Sequence, residues 1–142
     1  MKKYNFATPE WFACLHGIAL ERAASAYSRI PDVRFSMCEV LTNVPASLSP
    51  NGKLAWHVVI RGPEVQFDTS ERDDVDMKYL ADFEAVKPLA HYDTEDKPER
   101  IAELGKLVEG LMKQEKLRLI GGRSPGSDAV GSFHDAIVRV TA

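Results

Sequence analysis

The spacing of apolar residues changes repeatedly along the chain, and each change predicts an element. Residues 8–30 repeat at helical spacing: Trp11, Leu15, Ile18 and Arg22 fall on one line, flanked by Phe12, Ala19, Ala23, Ala26 and Tyr27. Thr8-Pro9-Glu10 starts this helix with a hydroxyl cap, a proline at the first helical position and an acid at the positive dipole end. Pro31 stops it. The small residues in the stripe predict close approach to a sheet. From Val33 the period is two, with Phe35 and Met37 alternating with Arg34, Ser36 and Cys38, and this strand runs to Thr42.

A loop from Pro45 to Gly52 leads to the clearest strand, in which Leu54, Trp56, Val58 and Ile60 alternate with Ala55, His57, Val59 and Arg61. Gly62-Pro63 turns the chain into a short returning arm, Val65 to Asp68. The polar run Thr69–Asp74 reads as another turn. Val75, Met77, Tyr79, Ala81 and Phe83 mark a further strand, and His91–Lys97 a charged loop. Pro98 opens a second helix, with Asp96 and Glu99 placed as a capping pair and Ile101, Leu104, Val108, Leu111 and Met112 on one face. Leu117–Ile120 is a short strand ended by Gly121-Gly122. A Gly/Ser/Pro connection through Ser127 then precedes a last helix carrying Val130, Phe133 and Ile137 on one side.

The order is helix, four strands running as a meander, helix, strand, helix. Strands arriving in a block predict an α+β fold: a five-stranded, largely antiparallel sheet covered by helices. Without repeats, low-complexity tracts or linkers, residues 1–142 read as a single domain.

Composition narrows the function. Apolar residues make up 44% and charged residues 27%, ordinary for a globular chain. With 18 basic against 21 acidic residues the net charge is −3, which argues against a nucleic-acid partner because phosphate neutralisation needs a positive surface. Cys14 and Cys38 lie in apolar segments without ligand-spaced neighbours, so we expect reduced core thiols, no disulfide and no metal. No signal-peptide core or membrane-length apolar run is present, so the expected location is the cytoplasm without stable membrane insertion. No pattern implies a cofactor or fixes an oligomeric state.

Several side chains carry candidate chemistry. His57 is a candidate general base; its ordinary role would be a hydrogen-bonded imidazole on a strand face. Asp82, between Ala81 and Phe83, would be a candidate acid if partly buried, and otherwise an alternating solvent-face residue. His134-Asp135 is a poor dyad because adjacent helical residues diverge by about 100°; Asp128 upstream is placed as a cap. Gly121-Gly122-Arg123-Ser124-Pro125-Gly126-Ser127 offers an anion cradle with Arg123 adding charge, or else a flexible connection; it lacks the ending of a phosphate-binding loop. The charge-rich turns at Glu71–Asp74 and Asp93–Arg100 do not match a calcium-loop spacing.

Two passages carry a resemblance. Leu54-Ala55-Trp56-His57-Val58-Val59-Ile60, with its turn at Arg61-Gly62-Pro63, is one. Glu115-Lys116-Leu117-Arg118-Leu119-Ile120-Gly121-Gly122 is the other. Together with the element order they resemble the sterol carrier protein 2 (SCP2) family, whose closing strand reads glycine-lysine, alternating apolar residues, then glycine and an acid or amide. Glu115 and Gly122 depart from that pattern. The resemblance implies a sheet covered by helices around a lipid-sized tunnel, with Ala129 to Val138 as the tunnel-lining helix.

On that basis the expected activity is non-catalytic binding or carriage of a small hydrophobic or amphipathic ligand, such as a fatty acyl or other lipid-like molecule. The expected wall residues are Trp11, Leu15, Phe35, Trp56, Val58, Phe67, Phe133 and Ile137, with Arg123 as an anion contact. The competing expectation is a small isomerase, dehydratase or hydrolase using His57 and Asp82, with Tyr79 as proton donor.

Overall fold

The computed structural model describes residues 2–142. Helix α1 spans Pro9–Arg29; the Thr8 hydroxyl accepts from the Trp11 amide at 3.3 Å, and the Ile30 amide closes the last turn on the Ala26 carbonyl. Its buried face, Trp11, Phe12, Leu15, Ala19, Ala23 and Ala26, shares one core with Phe35, Val58 and Ile60 of the sheet. Ala19, Ala23 and Ala26 are almost fully buried in that core.

The strands are β1 (Arg34–Thr42), β2 (Leu54–Arg61), β3 (Glu64–Asp68), β4 (Met77–Asp82) and β5 (Leu117–Gly121), in the spatial order β3-β2-β1-β4-β5. The expected five-stranded, mostly antiparallel α+β architecture is present. Its topology differs from a meander in one respect: β4 does not return beside β3 but lies parallel to β1, on the far side of it.

The polar run read as a turn, Thr69–Asp74, belongs to the crossover that makes this possible. Asp68, His57, Cys38 and Lys78 form one row across β3, β2, β1 and β4. The chain from Thr69 to Asp76 follows that row over the back of the sheet. The Ser70 carbonyl meets His57 Nδ1 at 2.8 Å, the Arg72 amide meets Cys38 Sγ at 3.5 Å, and the Lys78 ammonium binds Glu71 at 2.5 Å and also Asp73. Three strand spacings of about 4.8 Å are readily covered by such a segment. A polar stretch of this length fits a turn or a crossover equally well, and only the backside partners distinguish them.

Three further boundaries differ from expectation. After β4 the chain enters a short helix α2 (Phe83–Val86) and a 3₁₀ turn (Lys87–His91), so Phe83 opens a helix instead of ending a strand. Helix α3 spans Pro98–Lys113, but Asp96 does not cap it; Lys97 is the cap residue and supplies no side-chain bond. The final helix is broken into α4 (Ser127–Val130) and α5 (His134–Arg139), because Gly131 adopts φ 77° between them.

The loop after β5 is tied down. The Ser124 hydroxyl, almost fully buried, accepts from the Ser36 amide at 3.1 Å and donates to Asp76 at 2.7 Å. Gly126 passes so close to β1 that a Cβ there would sit 2.3 Å from the Arg34 carbonyl oxygen.

Candidate ligand cavity

The inward sheet face and the helices above it line a half-open cavity of about 690 Å³. The alternation of β1 places Phe35, Met37 and Glu39 on its floor, with Trp56 from β2 and Met77 and Tyr79 from β4 beside them. Trp11 and Leu15 of α1 form one wall, and Phe133 and Ile137 near the C-terminus another. The Phe133 ring meets Phe35 edge-on at 6.3 Å and lies 6.4 Å from Trp56. Trp11 is fixed by a buried bond from its Nε1 to the Thr141 hydroxyl at 2.9 Å, and that hydroxyl donates to the Ile137 carbonyl at 2.6 Å.

Helix α3 closes the space from above with Leu104 and Val108. None of its residues is buried: Ile101, Leu107 and Met112 remain 51%, 43% and 38% exposed. Its amphipathic pattern is genuine: Val108 and Leu111 pack half-buried against the core, and Leu104 and Val108 border the cavity. Low burial makes it the cover most easily displaced.

One carboxyl group stands on the floor. Glu39 lies between Trp56 and Tyr79 in the cross-strand register, and its Oε1 accepts from Trp56 Nε1 at 3.0 Å. Burial pushes the Glu39 carboxyl above the ordinary glutamate range, opposed only by that bond. Burial likewise raises the Tyr79 phenol, with the Glu39 charge adding to the effect and Arg123 opposing it. The remaining polar lining clusters elsewhere: Arg123 pairs with Asp128, and His134 Nε2 lies 2.6 Å from the Tyr92 carbonyl.

Six of the eight expected wall residues border this cavity: Trp11, Leu15, Phe35, Trp56, Phe133 and Ile137. Val58 does not; it is fully buried in the core that β2 shares with α1. Phe67 faces a separate, open recess of about 390 Å³, where its ring stacks on His16 at 4.6 Å. Glu39 escaped the sequence reading, although it falls in phase with Phe35 and Met37 and so interrupts the apolar face of a strand.

The catalytic expectation fails on placement. His57 lies on the back of the sheet under the crossover, while Asp82 aligns with Thr42, four residues along β1 from the partner of His57. At about 3.3 Å per residue they are roughly 13 Å apart along the strands, and neither borders the cavity. Asp82 caps α2 through the Ala85 amide at 3.1 Å and accepts from Asn43 at 2.7 Å. The Asn43 bond foremost holds its carboxyl below the usual range, the reverse of what an acid catalyst needs. Tyr79 is on the cavity side, away from both.

Other candidates resolve into structure. Asp135 accepts from the Thr94 amide and hydroxyl at 3.0 and 2.5 Å, not from His134. Asp128 lies within α4 instead of capping it, and its pairing with Arg123 occupies the charge expected to attract an anion. Among the described residues no group of three or more His, Cys, Asp or Glu side chains is placed to hold a metal, and no helix is long and apolar enough to cross a membrane.

No protein-family model matches the sequence, and no curated protein matches it. Solved structures do match the fold. A crystal structure of sterol carrier protein 2 aligns with a TM-score of 0.51 at 11% identity, covering 96% of both chains. Palmitated SCP2L2 from Aedes aegypti aligns at 0.41 and 19% identity, over 81% of this chain and 84% of that one. The ubiquinone synthesis protein UbiJ-SCP2 aligns at 0.41 and 16% identity, over 89% and 83%. The chain has an SCP2-like fold, and the likeness at these identities is one of fold alone.

Proposed function

We propose that the protein binds and carries a small hydrophobic or amphipathic ligand, such as a fatty acyl or other lipid-like molecule, in the cavity beneath α3. The observation that carries this reading is the cavity of about 690 Å³ floored and walled by Phe35, Trp56, Trp11 and Phe133. That size lies within the range of small-molecule sites, which are concave, mostly apolar and supplied with few polar groups. Burying ligand surface supplies roughly 25 cal/mol per Å², less the costs of ordering. The SCP2-like fold supports the same reading. Access follows from the thinly packed α3 and from the hinge at Gly131, where the wall bearing Phe133 interrupts its helix.

The test is titration with fluorescent fatty-acyl, sterol and aromatic probes of the wild type, Phe133→Asp and His57→Ala, with circular dichroism to confirm folding. Saturable binding is expected for the wild type and for His57→Ala. Phe133→Asp places an unpaired carboxylate on the wall and should weaken binding by about tenfold or more. Absence of saturable binding to the wild type across all three probe classes would overturn the proposal.

A further inference from the structure

An amphipathic ligand needs its polar end matched as well as its chain, and the cavity floor has one group able to do this. Glu39 projects from the central strand β1, midway across the sheet, into an otherwise apolar floor formed with Phe35, Met37 and Met77. Only its Oε1 is engaged, by Trp56 Nε1 at 3.0 Å. Among the described residues no other donor reaches the carboxylate, and no lysine, arginine or histidine forms an ion pair with it. A half-buried carboxylate without a counter-charge is incompletely solvated and gains from a cationic partner. Replacement of such an acid by an apolar residue would leave a better-packed floor for a purely hydrocarbon ligand.

The other ionisable groups bordering the cavity do not supply the missing charge. Arg123, from the loop after β5, is paired with Asp128 of α4. His134 of α5 binds the Tyr92 carbonyl through Nε2, and Tyr79 of β4 is a phenol whose proton is held more tightly than usual. The free side of Glu39 therefore faces ligand space with an acceptor for which the protein supplies no counter-charge.

We propose that Glu39 is the head-group contact of the cavity and selects a lipophilic monocation, an apolar chain or ring system ending in a protonated amine. The inference rests on the cavity reading above and deepens it. An ammonium group donates to the free carboxylate oxygen and supplies the absent counter-charge, forming a charge-assisted bond in a low-dielectric site. A hydroxyl-ended ligand offers the donor without the charge. A carboxylate-ended ligand offers the wrong charge against Glu39, and inserts that end only with a proton shared between two acids.

The experiment compares n-decylamine, n-decanol and n-decanoate, identical in chain length, by isothermal titration calorimetry below their aggregation limits. Wild type and Glu39→Gln are titrated at pH 7.5. Glutamine preserves the shape and the acceptor for Trp56 Nε1, so the fold and the apolar walls are retained. Decylamine should bind the wild type about tenfold or more tightly than decanol, as expected for a charge-assisted over a neutral bond, with decanoate weakest. In Glu39→Gln the amine should fall to the level of decanol, while decanol itself changes little. Lowering the pH should weaken only the amine–wild-type pair, as Glu39 takes up a proton while the amine, like lysine, stays charged. Equal binding of amine and alcohol, an amine preference that survives Glu39→Gln, or tightest binding of decanoate would each overturn the proposal while leaving a ligand cavity intact. Failure of all three ligands to bind would overturn the cavity reading and this inference together.

Discussion

Trp56 Nε1 donates to Glu39 Oε1 at 3.0 Å, and the two residues are directly paired across β1 and β2. The bond ties the indole to the cavity floor and gives the half-buried carboxyl its one hydrogen-bond partner among the described residues. Burial raises the folded-state pKa of Glu39 above that of the unfolded chain. The folded protein therefore binds a proton that the unfolded chain releases, and stability falls as pH rises from the unfolded value, about 4.3, through the folded one. Glu39→Gln removes this penalty. Its melting temperature should exceed that of the wild type at pH 8, with the difference closing towards pH 4, as read by thermal denaturation across that range.

Trp56→Phe tests the same contact from the other side. The Trp56 bond favours the ionised carboxylate, so its loss should raise the Glu39 pKa further, measured by side-chain carboxyl NMR titration. Removing the donor from this half-buried acceptor should also lower stability in denaturant unfolding.

The alanine stripe of α1 should tolerate no enlargement. Ala23 is 2% exposed in the core that joins α1 to the sheet. Ala23→Leu is expected to cost on the order of 1–3 kcal/mol through overpacking, with a lowered melting temperature. An unchanged transition would mean that the stripe is not in close contact with the sheet.

Two neighbouring glycines should respond in opposite ways. Gly121 has φ 90° and a Cβ there would lie 2.2 Å from the Asp76 carbonyl oxygen, whereas nothing lies within 4 Å of the corresponding position at Gly122. Gly121→Ala should destabilise by about 1–3 kcal/mol, and Gly122→Ala should leave stability within about 0.5 kcal/mol. Denaturant unfolding of the pair isolates backbone constraint from loss of glycine flexibility alone.

The crossover should be held shut by Lys78. Its ammonium binds Glu71 and Asp73, and these bonds raise its pKa above the ordinary lysine value. Cys38 lies beneath the same segment, while Cys14 is half-buried in α1. Lys78→Met should speed amide exchange across residues 69–76 and accelerate alkylation of Cys38 relative to Cys14, both read by mass spectrometry. Unaltered protection would place the closure of the crossover elsewhere.

Local signals determined much of this protein. The Thr8-Pro9-Glu10 start, the stop at Pro31, the alternation through β2 and the glycine end of β5 each act through backbone geometry within a few residues, so they are readable without knowing the partners. The aromatic and aliphatic residues that border the cavity were legible for the same reason: Trp11, Phe35, Trp56 and Phe133 sit on faces that periodicity alone identifies. Tertiary structure decided what lies opposite each face. Val58 has the same phase as Trp56, yet only Trp56 borders the cavity although both belong to the core, and no pattern along β2 separates them. The parallel seat of β4 beside β1 depends on bonds from Ser70, Arg72 and Asp73 to residues brought into one row by other strands. Glu39 is the sharpest case. Its phase marks it as inward, but whether an inward acid meets a basic partner or the floor of an apolar cavity depends on the volume left between sheet and helices, which only packing in three dimensions sets.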